Sequence, residues 1–224
     1  MMPLYAALDW SGSPDAPEPN VALELYVPCL VCVPVKEELD NVFAAWRKEF
    51  GLSLTEELHG HRLRRRPDVL LRVVEYAVMN ALVAAVVFDK WLLVRELGAQ
   101  IFDKAYLLTP ATGLLVAEAI LQHTPLKMLW YDDGDLVPTR RGAFKTDIQR
   151  NARSRWAESP DVRPLPSHKS SHVQLADVIA YVLQREGRGL TETAELRRQV
   201  RRLSRKSDCV IRNGNGDDLR PYLP

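Results

Sequence analysis

The chain has almost no net charge, few cysteines and no long apolar run, and each absence removes a class of protein. Its 224 residues hold 30 Lys and Arg against 29 Asp and Glu, a formal net charge of +1. The molecule as a whole therefore exerts no pull on a polyanion, and any such surface has to come from local clustering of basic residues. No stretch approaches the roughly 20 apolar residues of a membrane span. The longest candidate, Ala77 to Phe88, is too short and is broken by Asn80. No basic segment leads into an apolar one near the N-terminus, so neither a secretory signal nor a membrane partner is expected, and the expected setting is cytoplasmic. Cys29, Cys32 and Cys209 are too few for a disulfide framework. The Cys29-Leu-Val-Cys32 spacing is that of a metal or redox motif, but residues three apart on a strand point to opposite faces, so packing is the expected role. Internal repeats and low-complexity blocks are absent as well.

What is present is a core-forming chain, 46% hydrophobic, whose length suits one large domain. Short apolar runs ending in turn residues alternate with segments of helical period, the pattern of an α/β protein with a mixed sheet. Leu4 to Leu8 reads as a strand ended by Asp9-Trp10-Ser11-Gly12-Ser13-Pro14. Val21 to Val35, with Pro28 and Pro34 as breaks, reads as one or two strands antiparallel to the first. Helices are expected from about Lys36 to Phe50 and from Pro67, with a short strand or turn between them at Leu52 to Gly60. Ala81 to Phe88 has the composition of a buried central strand. Helical segments come next over Trp91 to Gln122, broken near Pro110. Lys127 to Tyr131 is a further strand, Pro138 to Trp156 a basic helix, and Val162 a short extended piece. Two more helices are expected over His172 to Arg185 and Thr191 to Lys206, and then a turn-rich, loose tail from Asn213.

The chemistry rests on carboxylates at strand ends. Parallel neighbours in such a sheet would bring Asp9, Asp89 and Asp132 to one edge. Acids so close repel and raise one another's pKa, whereas magnesium or manganese takes oxygen ligands of this kind. Asp177 is the strongest anomaly. It stands in Val173-Gln174-Leu175-Ala176-Asp177-Val178-Ile179-Ala180-Tyr181, a helix apolar nearly all round, where an ionised group needs a partner or a metal. Gln174 and Tyr181 share its face at three and four residues' distance and can orient it or line a groove. The alternative is an acid of the first turns facing water or a loop. For Asp89 the alternatives are a salt bridge with Lys90 or a helix N-cap. His59 and His61, either side of Gly60, are candidates for a general acid or a phosphate contact.

In order, Leu8-Asp9-Trp10-Ser11-Gly12, Glu57-Leu58-His59-Gly60, Val86-Val87-Phe88-Asp89-Lys90, Tyr131-Asp132-Asp133 and the Gln174-Leu175-Ala176-Asp177 helix resemble the domain of unknown function 3800 family. That family is similar in fold to RNase H-like nucleases and integrases. The resemblance spans about Leu4 to Leu183, and its most specific piece is the Gln-Leu-Ala-Asp helix. It implies an RNase H-like mixed β-sheet flanked by helices over residues 1–190, with 191–224 as a basic helix and tail packed on it. It also implies Asp9, Glu57, Asp132 and Asp177 as the acidic set, with Asp89 and Asp133 as rival metal ligands and Gln174, His59 and Lys90 in support. Trp10 stands where the family usually has an acid. In an RNase H-like sheet the first strand neighbours the fourth; on that count Asp89 is one strand from Asp9 and Asp132 about 10 Å away.

Basic residues cluster at Arg62, Arg64, Arg65 and Arg66, at Arg140, Arg141, Lys145, Arg150, Arg153 and Arg155, and at Arg197, Arg198, Arg201, Arg202, Arg205 and Lys206. Taken singly such runs are usually solvated helix faces. Together they point to a polyanion, with Arg64, Arg65, Arg140, Arg141 and Lys145 as expected nucleic-acid contacts. The leading expectation is a divalent-metal-dependent nuclease for DNA or RNA that needs no side-chain nucleophile. The alternatives are a non-catalytic RNase H-like module binding nucleic acid, a protein partner or a second copy of the chain, and a hydrolase of phosphorylated small molecules.

Overall fold

The computed structural model describes residues 4–34, 36–105, 108–121, 126–132, 138–153 and 160–222. One mixed sheet of six strands runs through it in the order β5-β4-β1-β2-β3-β6. These are β1 (Leu4–Ser11), β2 (Leu25–Val33), β3 (Leu82–Asp89), β4 (Leu126–Tyr131), β5 (Asp161–Pro164) and β6 (Val210–Gly214). β1 pairs antiparallel with β2 and parallel with β4, and β2 pairs antiparallel with β3.

Helices cover both faces, because the strands are apolar on alternate residues in both directions. On one face Ala7, Val27, Cys29, Val31 and Ala85 meet α1 (Lys36–Glu49), α2 (Pro67–Asn80), α6 (Ser171–Gly187) and α7 (Ala194–Leu203). On the other, Leu8, Trp10, Leu30, Cys32 and Phe88 meet α3 (Lys90–Leu97), α4 (Leu108–Leu121), α5 (Pro138–Arg153) and the single turn α8 (Gly216–Leu219). Cys29 and Cys32 fall on opposite faces, both fully buried, and burial raises both thiols. They are packing residues. No described helix is long and apolar enough to cross a membrane.

α6 is the central helix of its face. Ser170 caps it, accepting from Val173 N–H at 3.3 Å, and every residue from Ser171 to Gln184 is buried. Asp177 is therefore buried by the body of the fold and does not face water from a first turn.

Several expectations change. β1 runs to Ser11, so Asp9 sits inside the strand, two residues before its end. Residues 25–33 form one strand, the first of the two alternatives, and Pro28 does not split it: it pairs with Trp10 of β1, and β2 keeps a single register on β3 from Tyr26–Phe88 to Cys29–Ala85. With one strand there, Leu126–Tyr131 is the fourth strand. Of the short strand or turn expected over Leu52 to Gly60, the structure has the turn, within irregular chain. α3 ends at Gly98, whose φ of 84° suits glycine, a 3-10 helix follows over Ala99–Ala105, and Pro110 is accommodated in the first turn of α4. The tail is not loose: β6 pairs in parallel with β3, from Ala84–Val210 to Phe88–Gly214. With only two apolar side chains it carries little alternation to read.

Candidate carboxylate groove

The parallel register of β1 and β4 places Leu8 beside Tyr131. One residue further on, Asp9, still inside β1, and Asp132, just past the end of β4, come on adjacent strands to the same edge of the sheet, and neighbouring strands lie about 4.8 Å apart. The adjacency of β3 to β1 expected on the sequence is thus corrected. β2 lies between them, and Asp89 is two strands from Asp9 while Asp132 is the neighbour. Asp89 also turns away. Its Oδ1 accepts from Trp91 N–H at 2.9 Å and Leu92 N–H at 3.3 Å, capping α3.

Asp9 shares its strand face with Ala7, which packs toward α6. There a groove of about 800 Å³ opens, lined by Asp9, Asp132, Asp177, His59, Ser167 and Tyr181 among others. Trp10 points into the opposite core and also edges the groove. Asp9 Oδ1 accepts from the Trp10 N–H at 2.7 Å.

Asp177 is held by the loop before α2. Gly60 N–H donates to its Oδ2 at 2.6 Å, and His59 Nδ1 lies 3.7 Å from the same oxygen. His59 Nδ1 also accepts from His61 N–H at 3.2 Å, which puts the proton of the neutral ring on Nε2. The approach demands glycine: a Cβ on Gly60 would overlap the Tyr181 side chain. Burial pushes the Asp177 carboxyl up to about 6. The charges of Glu57 and Asp132 push the same way, while His59 and the Gly60 N–H oppose them.

Glu57 stands behind the groove. Ser167 Oγ donates to its Oε1, and Arg62 Nη1 approaches its Oε2 at 3.8 Å. Gln174 sets this arrangement. Its Oε1 accepts from Leu58 N–H at 3.0 Å and Arg47 Nη2 at 2.9 Å, and its Nε2 donates to the Ser167 carbonyl at 2.8 Å. Gln174 thus ties Glu57's neighbour and Ser167 to α6, although it does not touch Asp177 as its spacing suggested.

Lys90 is fully buried, ion-paired to Glu24, and donates to the Ser13 carbonyl at 3.2 Å. It braces the loop after β1 and is absent from the groove lining, so direct support of the carboxylates is corrected to support through the loop. Arg64 and Arg65 are exposed on the turn just after His61, and Lys145 is exposed on α5. Asp133 and the side chains of Arg140 and Arg141 lie outside the described residues.

Two lining residues do not stand out in the sequence, Gln184 and Arg188. They fall seven and eleven residues after Asp177, with Tyr181 at four, so one stripe of α6 faces the groove. That periodicity is open to reading, but it is hidden by the apolar residues between. Gln184 Nε2 donates to the Leu25 carbonyl at 2.9 Å and its Oε1 accepts from Ser11 Oγ at 3.0 Å, fixing that wall.

A mixed sheet of this order with helices on both faces is an RNase H-like α/β fold. Among solved structures, a chain of the PCNA:RNase HII complex from Archaeoglobus fulgidus is similar to this one, with a TM-score of 0.52 and 14% identity over 94% of each chain. At that identity the likeness shows the fold. No family model and no curated protein matches the chain.

Nucleases of this fold typically use a divalent metal. The donors fit one in kind: Asp9, Asp132 and Asp177 offer only hard oxygen ligands, and Asp177, raised first by burial and then by the charges of Glu57 and Asp132, is a carboxylate that a cation would relieve. In placement they fall short: among the described residues no three His, Cys, Asp or Glu side chains stand close enough together to hold an ion, so at most two of these carboxylates would share one as the side chains stand.

Proposed function

We propose that the groove hydrolyses phosphodiester bonds in DNA or RNA with magnesium or manganese held by Asp9, Asp132 and Asp177. The observation that carries this reading is the pairing of β1 with β4, which sets Asp9 and Asp132 side by side in the groove that Asp177 lines. A divalent cation drawn to these oxygen donors would supply Lewis-acid activation of water and neutralisation of charge on the phosphate. The chain's own part is positional. Gln174 holds Leu58, next to Glu57, and Ser167 behind the site, Gly60 fixes the Asp177 oxygen, and His59 offers its Nε2–H as a hydrogen-bond donor to a phosphate oxygen. Asp89 and Lys90 serve the framework. Asp133, the next residue after Asp132, is a further ligand in this reading.

Manganese titration by calorimetry, with cleavage assays on labelled DNA, RNA and hybrid duplexes, tests it. Metal-dependent cleavage is expected, lost in Asp9→Asn. Protein that neither takes up manganese nor cuts any of these, with Asp9→Asn indistinguishable, overturns it. The open placement of the donors favours a second reading, a binding module without chemistry. Nucleic-acid binding and a melting temperature that are both indifferent to magnesium would select that one.

A further inference from the structure

The groove is an unusual place for a polyanion. Six carboxylates line it, and among the described lining residues Arg188 is the one fixed cation. Arg188 caps α6, in the last position of the stripe that begins with Asp177. Its positive charge suits a helix C-terminus, which accounts for the charge but not for the donors. Its Nε is buried and meets no acceptor, and the guanidinium forms no ion pair among the described residues. A buried N–H without an acceptor is costly, and a planar guanidinium fork matches phosphate oxygens.

Two residues before it, Glu186 is ion-paired to Arg197 Nε and Arg201 Nε of α7, each at 3.4 Å. The rim of the groove at Arg188 is therefore joined to the outer face of α7. There Arg197, Arg198, Arg201, Arg202 and Arg205 line a shallow depression of about 370 Å³. The helix buries Leu196, Val200 and Leu203 beneath, so the arginine face is fixed in direction. Glu186 and Glu195 neutralise it only in part, since no described acid is paired with Arg202 or Arg205.

We propose that Arg188 is the phosphate anchor of the groove and that the α7 arginines carry the backbone of the same polynucleotide away from it. The inference rests on the nuclease reading for the identity of the ligand, but it concerns binding and is tested apart from cleavage. A fixed cation beside six acids admits a phosphodiester at one end of the groove only. The chain then leaves over α7, where an arginine face follows the spacing of a charged backbone without reading bases.

The test is fluorescence anisotropy of fluorescein-labelled single-stranded and duplex DNA against a salt series, with magnesium and with EDTA. Arg188→Gln is expected to weaken binding by about tenfold, as loss of one charge-assisted contact does, and Arg188→Lys to recover part of it. The triple change Arg198→Gln, Arg202→Gln, Arg205→Gln is expected to lower the slope of log affinity against log salt by about 2 to 3. Thermal unfolding of each variant shows that its fold is intact; all four side chains lie at the surface or the rim. Unchanged affinity for Arg188→Gln with an unchanged slope for the triple variant overturns the inference. Polyglutamate bound as tightly as DNA, with the same losses, assigns the face to an acidic protein and overturns it too. Cleavage that persists without these binding effects removes the track and leaves the nuclease. A slope that falls in a protein that cuts nothing does the reverse.

Discussion

Two strands of this sheet run in the same direction and carry an aspartate near the same edge, yet β1 and β3 put theirs to different uses. After β3 the helix α3 begins at once with Lys90, so the Asp89 carboxylate is drawn onto the N–H groups of Trp91 and Leu92. After Asp9 the chain continues through Trp10 and Ser11 into a loop, and Asp9 stays aimed across the sheet at α6. β4 resembles β1 here, because Asp132 comes directly after its last residue and lines the same groove. The residue type and its place at a strand's end are shared. The segment that the strand leads into, helix or loop, decides whether the acid serves the backbone or the groove.

Exchanging the acids one at a time breaks the comparison most forcefully. Asp9→Asn or Asp132→Asn removes an oxygen charge from the proposed metal site, and metals contribute several kcal/mol to such reactions, so cleavage is expected to fall at least about 100-fold. Asp89→Asn keeps a capping side chain and leaves the rate within about twofold. Steady-state rates on one labelled substrate decide it. Equal losses at Asp89 and Asp132 would erase the distinction.

Much of this contrast is legible in the sequence and one step of it is not. Asp9 and Asp177 stand out from residue type alone: an acid closing an apolar strand, and an acid in a helix with no polar face to give it. The choice between Asp89 and Asp132 turns on counting strands, and Pro28 misleads the count. Proline usually ends a strand because it has no N–H to donate, but one missing bond is tolerated where the register on either side is unbroken. β6 escapes a reading by pattern because Val210-Ile211-Arg212-Asn213-Gly214 gains its place by pairing with β3, not from its own alternation. Arg188 is hidden for another reason: a charged helix end is commonplace, and only the groove shows that its Nε has no acceptor among the described residues.

The same contrast has a pH dependence centred on Asp177. Its folded pKa, about 6, lies above the ordinary 3.8. Between those values the unfolded chain releases this proton first, so stability falls as pH rises from about 4 to 6, by at most about 3 kcal/mol from this one group. Below pH 4 the contribution is fully present. Asp177→Asn, which can still accept from the Gly60 N–H, is expected to flatten that decline and to melt higher than the parent at pH 7 without divalent ions. Urea unfolding across pH 4 to 7 measures both. Asp89→Asn leaves the decline in place, since that carboxylate is committed to α3.

The smallest effect belongs to the cap itself. Asp89→Ala strips two N–H groups of α3 of their acceptor, and losing a cap of this kind costs about 1 kcal/mol. Asn, with an oxygen in the same place, should recover most of it. If Asp89 acts only on its helix, the loss appears in the urea midpoint of both the metal-free and the magnesium-loaded protein by the same amount, because a residue outside the groove cannot change affinity for an ion within it. A loss that grows when magnesium is added would mean that Asp89 reaches the ion after all, two strands away, and that the edge of this sheet works as one cluster and not as two.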